Sequence, residues 1–250
     1  MNTTRPELFP KRLDQWSGNL AQDFSVVETI LRQRGQFFAE IRQGVGLQEK
    51  IRAMLVSSVA FLAAYGAVLG STHSLLQAFS SAAKLPLLFL VTMLICLPTL
   101  YIFSLLFGSN QRLNQVLALV LAAITVISVL MLSFASITFF FMITTSGYQF
   151  FKLLNVFFFA LAGLVGMLFL SRGMQAVSAA KDAPGKFKRS VVLYLWMLLY
   201  AFVGSQMAWT LRPFIGYPGA RFELLRDLGG NFYADIFRSL GELLGFFIVV

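Results

Sequence analysis

Charge is what this sequence has least of. Only 12% of its 250 residues are Asp, Glu, Lys or Arg, while 58% are hydrophobic; soluble domains carry about 25% charged residues. A water-soluble chain so composed could not cover its core with polar surface, which excludes a soluble enzyme and a disordered tail. Cysteine and histidine are nearly absent. The single cysteine, Cys96, sits in an apolar run and has no partner for an internal disulfide. That excludes a disulfide-stapled secreted domain and leaves Cys96 as a small buried hydrophobe. The single histidine, His73, excludes a closed His/Cys zinc site and a bis-histidine haem, and no cofactor is expected. His73 has no acid near it in sequence and reads as a polar loop residue. Above all, no Asp, Glu, Arg or His lies in the middle of any apolar run. Proton relays, voltage sensors and intramembrane aspartyl or metalloprotease centres need such groups.

The apolar residues are gathered into long runs. A helix needs about 20 apolar residues to cross about 30 Å of hydrocarbon. Five runs meet that length, at 51–70, 85–107, 115–146, 150–171 and 190–211. They predict an all-α integral membrane protein, a bundle of five transmembrane helices. In the second run, Leu85-Pro86 places a proline where a first helical turn accepts it. Pro98 lies inside the same run, where proline kinks a helix. The third run would measure about 48 Å as one helix, at about 1.5 Å per residue. It must therefore tilt, protrude or break near Ser133–Ser136. The fourth can continue toward Ala180, before the turn chemistry of Asp182-Ala183-Pro184-Gly185.

Two amphipathic helices are expected to flank the bundle. Residues 1–50 read as a leader with one such helix. From 23 to 42, Phe24, Val26, Val27, Ile30, Leu31, Phe37, Phe38 and Ile41 recur at three- and four-residue steps, the period of one helical face. Asp23 suits its start, Gly35 is a weak point, and Arg32, Arg34 and Arg42 stand off the face. Such a helix lies in the headgroup plane, or packs on a partner or on the ends of the spans. Residues 212–250 read as a loop and a second amphipathic helix, N-capped by Asn231 and running over 232–245. Phe232, Tyr233, Ile236, Phe237, Leu240, Leu243 and Leu244 form a stripe, with Asp235, Arg238, Ser239 and Glu242 on the other side. The last residues, FFIVV, are too few to cross alone. They dip into the interface or form a partial sixth span.

Net charge is +9, and the cations lie outside the apolar runs. Anionic lipid headgroups, not nucleic acid, are the expected partner. The segment through Arg52 carries eight Lys and Arg, and loop 172–189 carries five. An even number of spans separates these two rich segments, and cations are retained in the cytoplasm. The N-terminus is thus expected inside and the tail outside. No cleavable signal is expected, because the first residues are polar; the first span would serve as an uncleaved anchor. Lys84 and Lys152, at span edges, are expected to snorkel.

Within the spans, Asn155 and Gln206 are the informative polar residues, since an amide in hydrocarbon wants a partner on a neighbouring helix. Small residues recur at four-residue spacing in Ala60, Ala64, Gly66 and Gly70, in Ala162 and Gly166, and in Gly204 and Ala208. Such spacing lets backbones approach closely. Phe139, Phe140, Phe141, Phe150, Phe151, Phe157, Phe158 and Phe159 flank the 146–149 turn, as lipid contact and core packing or as a surface for a flat apolar ligand or a partner's helices.

The densest irregular signal is Trp209-Thr-Leu-Arg212-Pro213-Phe214-Ile-Gly216. Trp and Arg suit a membrane interface on physical grounds alone. Alternatively, Arg212 pairs with Asp227 or Asp235 and pins the outer loop. The run QMAWTLRPFIG, followed by GNFYADIFRSL, resembles a signature of bacterial multi-pass membrane proteins, cyanobacterial ones among them. The resemblance covers span five and the tail. It implies a bacterial plasma membrane, or a thylakoid, and a tail that belongs to the folded unit; it implies no activity. The negative chemistry and amphipathic flanks lead to an expected role as a non-catalytic subunit, assembly factor or scaffold with a protein partner or in a homo-oligomer. A pore or carrier for a neutral or lipidic substrate is the alternative.

Overall fold

The computed structural model describes residues 24–106, 111–145, 147–178, 186–216, 222–226 and 229–244. All regular structure among them is helical: α1 (24–32), α2 (Arg34–Gln43), α3 (Leu47–Ser71), α4 (Leu75–Leu106), α5 (Leu113–Thr144), α6 (Tyr148–Val177), α7 (Lys186–Thr210) and α8 (Phe232–Leu243). Five of these, α3 to α7, are long and apolar enough to cross a membrane. The chain is therefore a multi-pass helical bundle, as its apolar runs require.

Helix α5 is the centre. From Ala118 to Ser128 every residue is buried, against α3 on one side and α6 on the other. A residue run apolar all round is what a helix needs when neighbours cover it completely. Helix α4 packs along α3, and α7 leans on α4 through Trp196, whose indole donates to the Cys96 carbonyl at 2.9 Å. The outer surfaces show apolar side chains at helical spacing, such as Phe157, Leu161, Leu164 and Leu168 on α6 and Leu195, Leu198 and Phe202 on α7. In water such stripes would be costly; against acyl chains they are the solvent-facing surface.

The helix over 23–42 is two helices, broken at Gln33, with α2 starting before the glycine. Asp23 lies outside the described residues. Val27, Ile30, Phe37, Phe38 and Ile41 are buried, whereas Phe24 and Leu31, expected on the same face, are exposed; α2 packs on α5 and α6, and Phe24 of α1 stacks on Phe61 of α3. Gln115 joins these parts: its amide accepts from Arg112 N–H at 2.8 Å and donates to the Ile41 and Arg42 carbonyls, both at 3.0 Å. Gly44 and Gly46, at φ 77° and 58°, form the turn into α3, a conformation that a Cβ disfavours.

Two expectations about the spans need correction, and one open alternative is closed. Span two begins at Leu75, not at Leu85-Pro86; both Pro86 and Pro98 lie inside α4. Residues 75–84, read as loop, are helical, and their backbone lies directly against Gly66 and Gly70 of α3. A Cβ on Gly70 would sit 2.6 Å from the Gln77 carbonyl carbon, and one on Gly66 2.8 Å from that of Ser81. Only glycine permits that approach, whereas Ala60 and Ala64, expected on the same face, are exposed. Span three does not break near Ser133–Ser136: α5 is continuous to Thr144, and Ser133 bonds back to the Val129 carbonyl at 2.9 Å.

Helices α2 and α8 occupy opposite ends of the bundle, as an odd number of crossings requires. Asn231 caps α8 as expected, its side chain accepting from Ala234 N–H at 2.7 Å. The turn at 182–185 and the last residues, FFIVV, lie outside the described residues.

Candidate functional site

The most concentrated polar structure lies at the α8 end, where the chain leaving α7 folds back onto α4. Gln77, Ser81 and Lys84 stand at i, i+4 and i+7 on α4, and so on one face. All three are buried, Lys84 to 6% exposure. The Gln77 amide donates to the Pro213 carbonyl at 2.8 Å, the Ser81 hydroxyl to the Phe214 carbonyl at 2.7 Å, and the Lys84 ammonium to the Pro213 carbonyl at 3.1 Å and to the Leu224 carbonyl. Irregular backbone at membrane depth is tolerated only where protein satisfies its carbonyls. The α4 face supplies those donors. Lys84 therefore does not snorkel: its ammonium finds better acceptors in the folded-back chain than a stretch to the headgroups would give it.

The segment holds itself in place as well. The Arg212–Pro213 peptide bond is cis. The Arg212 guanidinium lies over the Trp209 ring, 3.4 Å from its centroid, a cation–π arrangement. It donates to the Gly229 carbonyl at 3.2 Å, while Arg226 N–H donates to the Arg212 carbonyl at 3.1 Å. Burial lowers the proton affinity of Arg212, and Arg226 adds to this while Asp235 opposes it. The expected pairing with Asp235 is not what fixes that acid: its carboxylate bonds Lys152 on α6 at 2.9 Å. Asp227 lies outside the described residues. His73, in the turn between α3 and α4, packs on Gly216 so closely that a Cβ there would overlap the imidazole.

Helix α8 docks by its polar side. Asp235 meets Lys152, Glu242 accepts from Gln149 at 2.5 Å, and Ser239 is buried. Tyr233 reaches the Ser205 hydroxyl at 3.0 Å and stacks on Phe202, which ties α8 to α7. The later part of the apolar stripe points away, with Phe237 73% exposed and Leu240, Leu243 and Leu244 also exposed, while Phe232 and Ile236 are half-buried. In the segment between α7 and α8, Leu224 and Leu225 are exposed as well.

A second polar cluster sits inside the bundle. The Tyr65 hydroxyl donates to Asn155 Oδ1 at 2.5 Å and lies 3.3 Å from the Thr138 hydroxyl, joining α3, α5 and α6. The Asn155 amide donates back to the Phe151 carbonyl at 2.7 Å. Ser58 and Thr125, 3.0 Å apart, make a further α3–α5 link. Asn155 is thus the interhelical tie expected of a buried amide.

Of the residues singled out in the sequence, Trp209, Arg212, Pro213 and Phe214 come together in the clamp, and Asn231 starts the helix beside it. Pro98 is far along α4, two residues past the carbonyl that Trp196 holds. Gln206 makes no side-chain hydrogen bond among the described residues; its neighbour Ser205 makes the contact to α8 instead. Of the flanking phenylalanines, Phe151 and Phe158 are buried, while Phe139, Phe140 and Phe157 face outward. Sequence reasoning missed Gln77, Ser81 and Tyr65. The i, i+4, i+7 spacing of Gln77, Ser81 and Lys84 was the available signal.

Among the described residues no three His, Cys, Asp or Glu side chains come together as metal ligands. The Gln77, Ser81 and Lys84 donors are satisfied by backbone carbonyls, an arrangement that fixes shape, whereas the Trp209 indole N–H is buried without a hydrogen-bond partner among the described residues. No protein-family model, curated protein or solved structure matches the chain.

Proposed function

We propose that this protein is a non-catalytic integral membrane subunit, assembly factor or scaffold of a larger membrane complex. The observation that carries the reading is the docking of α8. Its polar side is tied to α6 through Lys152–Asp235 and Gln149–Glu242, and Phe237, Leu240, Leu243 and Leu244 of its apolar stripe are exposed. A helix stapled at this angle by a clamped loop offers a preformed apolar surface, and preformed surfaces bind with little ordering cost. The alternative of a pore or carrier draws no support from α5, whose inner half is packed on all sides and whose Thr125 and Ser128 hydroxyls bond back to their own helix.

The charge distribution supports a cytoplasmic α2 end and an external α8 end. The Trp209–Gly216 run supports a bacterial plasma membrane, or a thylakoid, as the location.

Photo-crosslinking tests the role. With a crosslinker at Phe237, solubilised membranes should yield one discrete adduct, with a partner protein or a second copy of this chain. A chain that runs alone, with lipid as its sole adduct at that position, would overturn the subunit reading.

A further inference from the structure

At the α2 end a groove of about 410 Å³ opens between α2, α5 and α6. Its lining is largely apolar, with Phe38 and Phe169, ring centroids 5.2 Å apart, joined by Val126 and Val165. Its mouth is cationic, with exposed Arg34 and Arg172 lining the same groove. Neither arginine has an acidic partner among the described residues, whereas nearby Arg32 pairs with Glu28 and Lys50 with Glu40. Arg172 and Val165 are seven residues apart on α6, about 10 Å along the axis at about 1.5 Å per residue. The charge thus sits at the bundle's end and the apolar lining reaches inward, the polarity of a phospholipid. Gly35 also lines the groove, and the space over its Cα is open.

We infer that this groove is a binding site for one anionic glycerophospholipid of the leaflet at the α2 end. The phosphate lies between Arg34 and Arg172, whose planar guanidinium groups match phosphate oxygens, and an acyl chain runs over Phe38 and Phe169 toward Val126. Basic pockets between spans are the usual shape of anionic-lipid recognition. The inference requires only that the bundle sits in a bilayer; it is independent of the subunit role.

Native mass spectrometry of the full chain, released from mixed phosphatidylglycerol and phosphatidylcholine micelles, tests it. Phosphatidylglycerol adducts should dominate on the wild type and persist in millimolar inorganic phosphate. The Arg34→Gln/Arg172→Gln variant should lose them by roughly thirtyfold, as two lost charges at a headgroup imply. Gly35→Trp keeps both arginines, fills the groove and adds a better helix former at that position; it should lose phosphatidylglycerol as well while keeping the wild-type unfolding temperature. Equal retention of the two lipids, undiminished phosphatidylglycerol on both variants, displacement by inorganic phosphate, or a protein rather than a lipid crosslinked at position 35 would each overturn the proposal.

Discussion

The Lys84 ammonium reaches the Pro213 carbonyl at 3.1 Å, across 129 positions of sequence. It joins the outer part of α4 to the chain leaving α7, and with Gln77 and Ser81 it holds that chain against the bundle.

Replacing Lys84 with Met keeps the length of the side chain and removes its donors, leaving the Leu224 carbonyl without this partner. Hydrogen bonds to a charged group contribute about 1.5–3 kcal/mol each, so a loss of about 2 kcal/mol is expected. Amide exchange should accelerate over the described residues 211–216 and 222–226 while α5 stays protected. Unchanged exchange there would show that the clamp does not hold the segment.

Glycine positions separate close approach from open space. Gly70→Leu drives a side chain into the Gln77 backbone, and such overpacking costs about 1–3 kcal/mol. Gly163 has no atom within 4 Å of its would-be Cβ, so Gly163→Ala should be neutral or slightly stabilising. Thermal unfolding in detergent reads both. Equal melting temperatures for the two variants would remove the tight α3–α4 contact from the account.

The Tyr65–Asn155 bond links α3 to α6. Interhelical hydrogen bonds in membranes contribute about 0.6 to 2 kcal/mol. Tyr65→Phe and Asn155→Leu should each destabilise within that range, and the double variant should cost less than their sum. Full additivity would mean that the two side chains do not interact.

At the other end, the Glu40 carboxyl is held below its ordinary value of 4.5, first by the Gln36 amide and then by Lys50. A depressed carboxyl stabilises the folded state above its unfolded pKa, and the contribution disappears as pH falls through the folded value. The opening equilibrium of the α2–α3 turn, read as amide exchange corrected for its intrinsic pH dependence, should be flat from neutral pH down to the ordinary carboxylate range and rise below it. Glu40→Gln should remove that acid-dependent rise; an identical profile in that variant would assign it to another group.

The spans were legible because hydrocarbon imposes length and composition on each run separately, and α5, apolar throughout, announces its central place. The start of α4 was not. Residues 74–84 contain Ser, Gln and Lys, which look like loop until Gly66 and Gly70 on α3 and the carbonyls of Pro213, Phe214 and Leu224 are known to meet them. That pairing is tertiary, and its local trace is limited to the i, i+4, i+7 spacing of Gln77, Ser81 and Lys84. The tail was half legible. The Asn231 cap and the stripe of α8 could be read from spacing, but its outward orientation depends on Lys152 and Gln149, far away on α6. Gln206 and Asn155 look alike in sequence, yet only Asn155 has Tyr65 and Thr138 within reach.

The central claim is that five crossings put α2 and α8 on opposite faces of a bilayer. The only natural cysteine, Cys96, is buried, so single cysteines at Gln36 and Arg238, both exposed, can be read without interference. In sealed vesicles of one orientation, a membrane-impermeant thiol reagent added outside should label one of the two and reach the other only after permeabilisation. Labelling of both positions from the same side would contradict the five-span bundle.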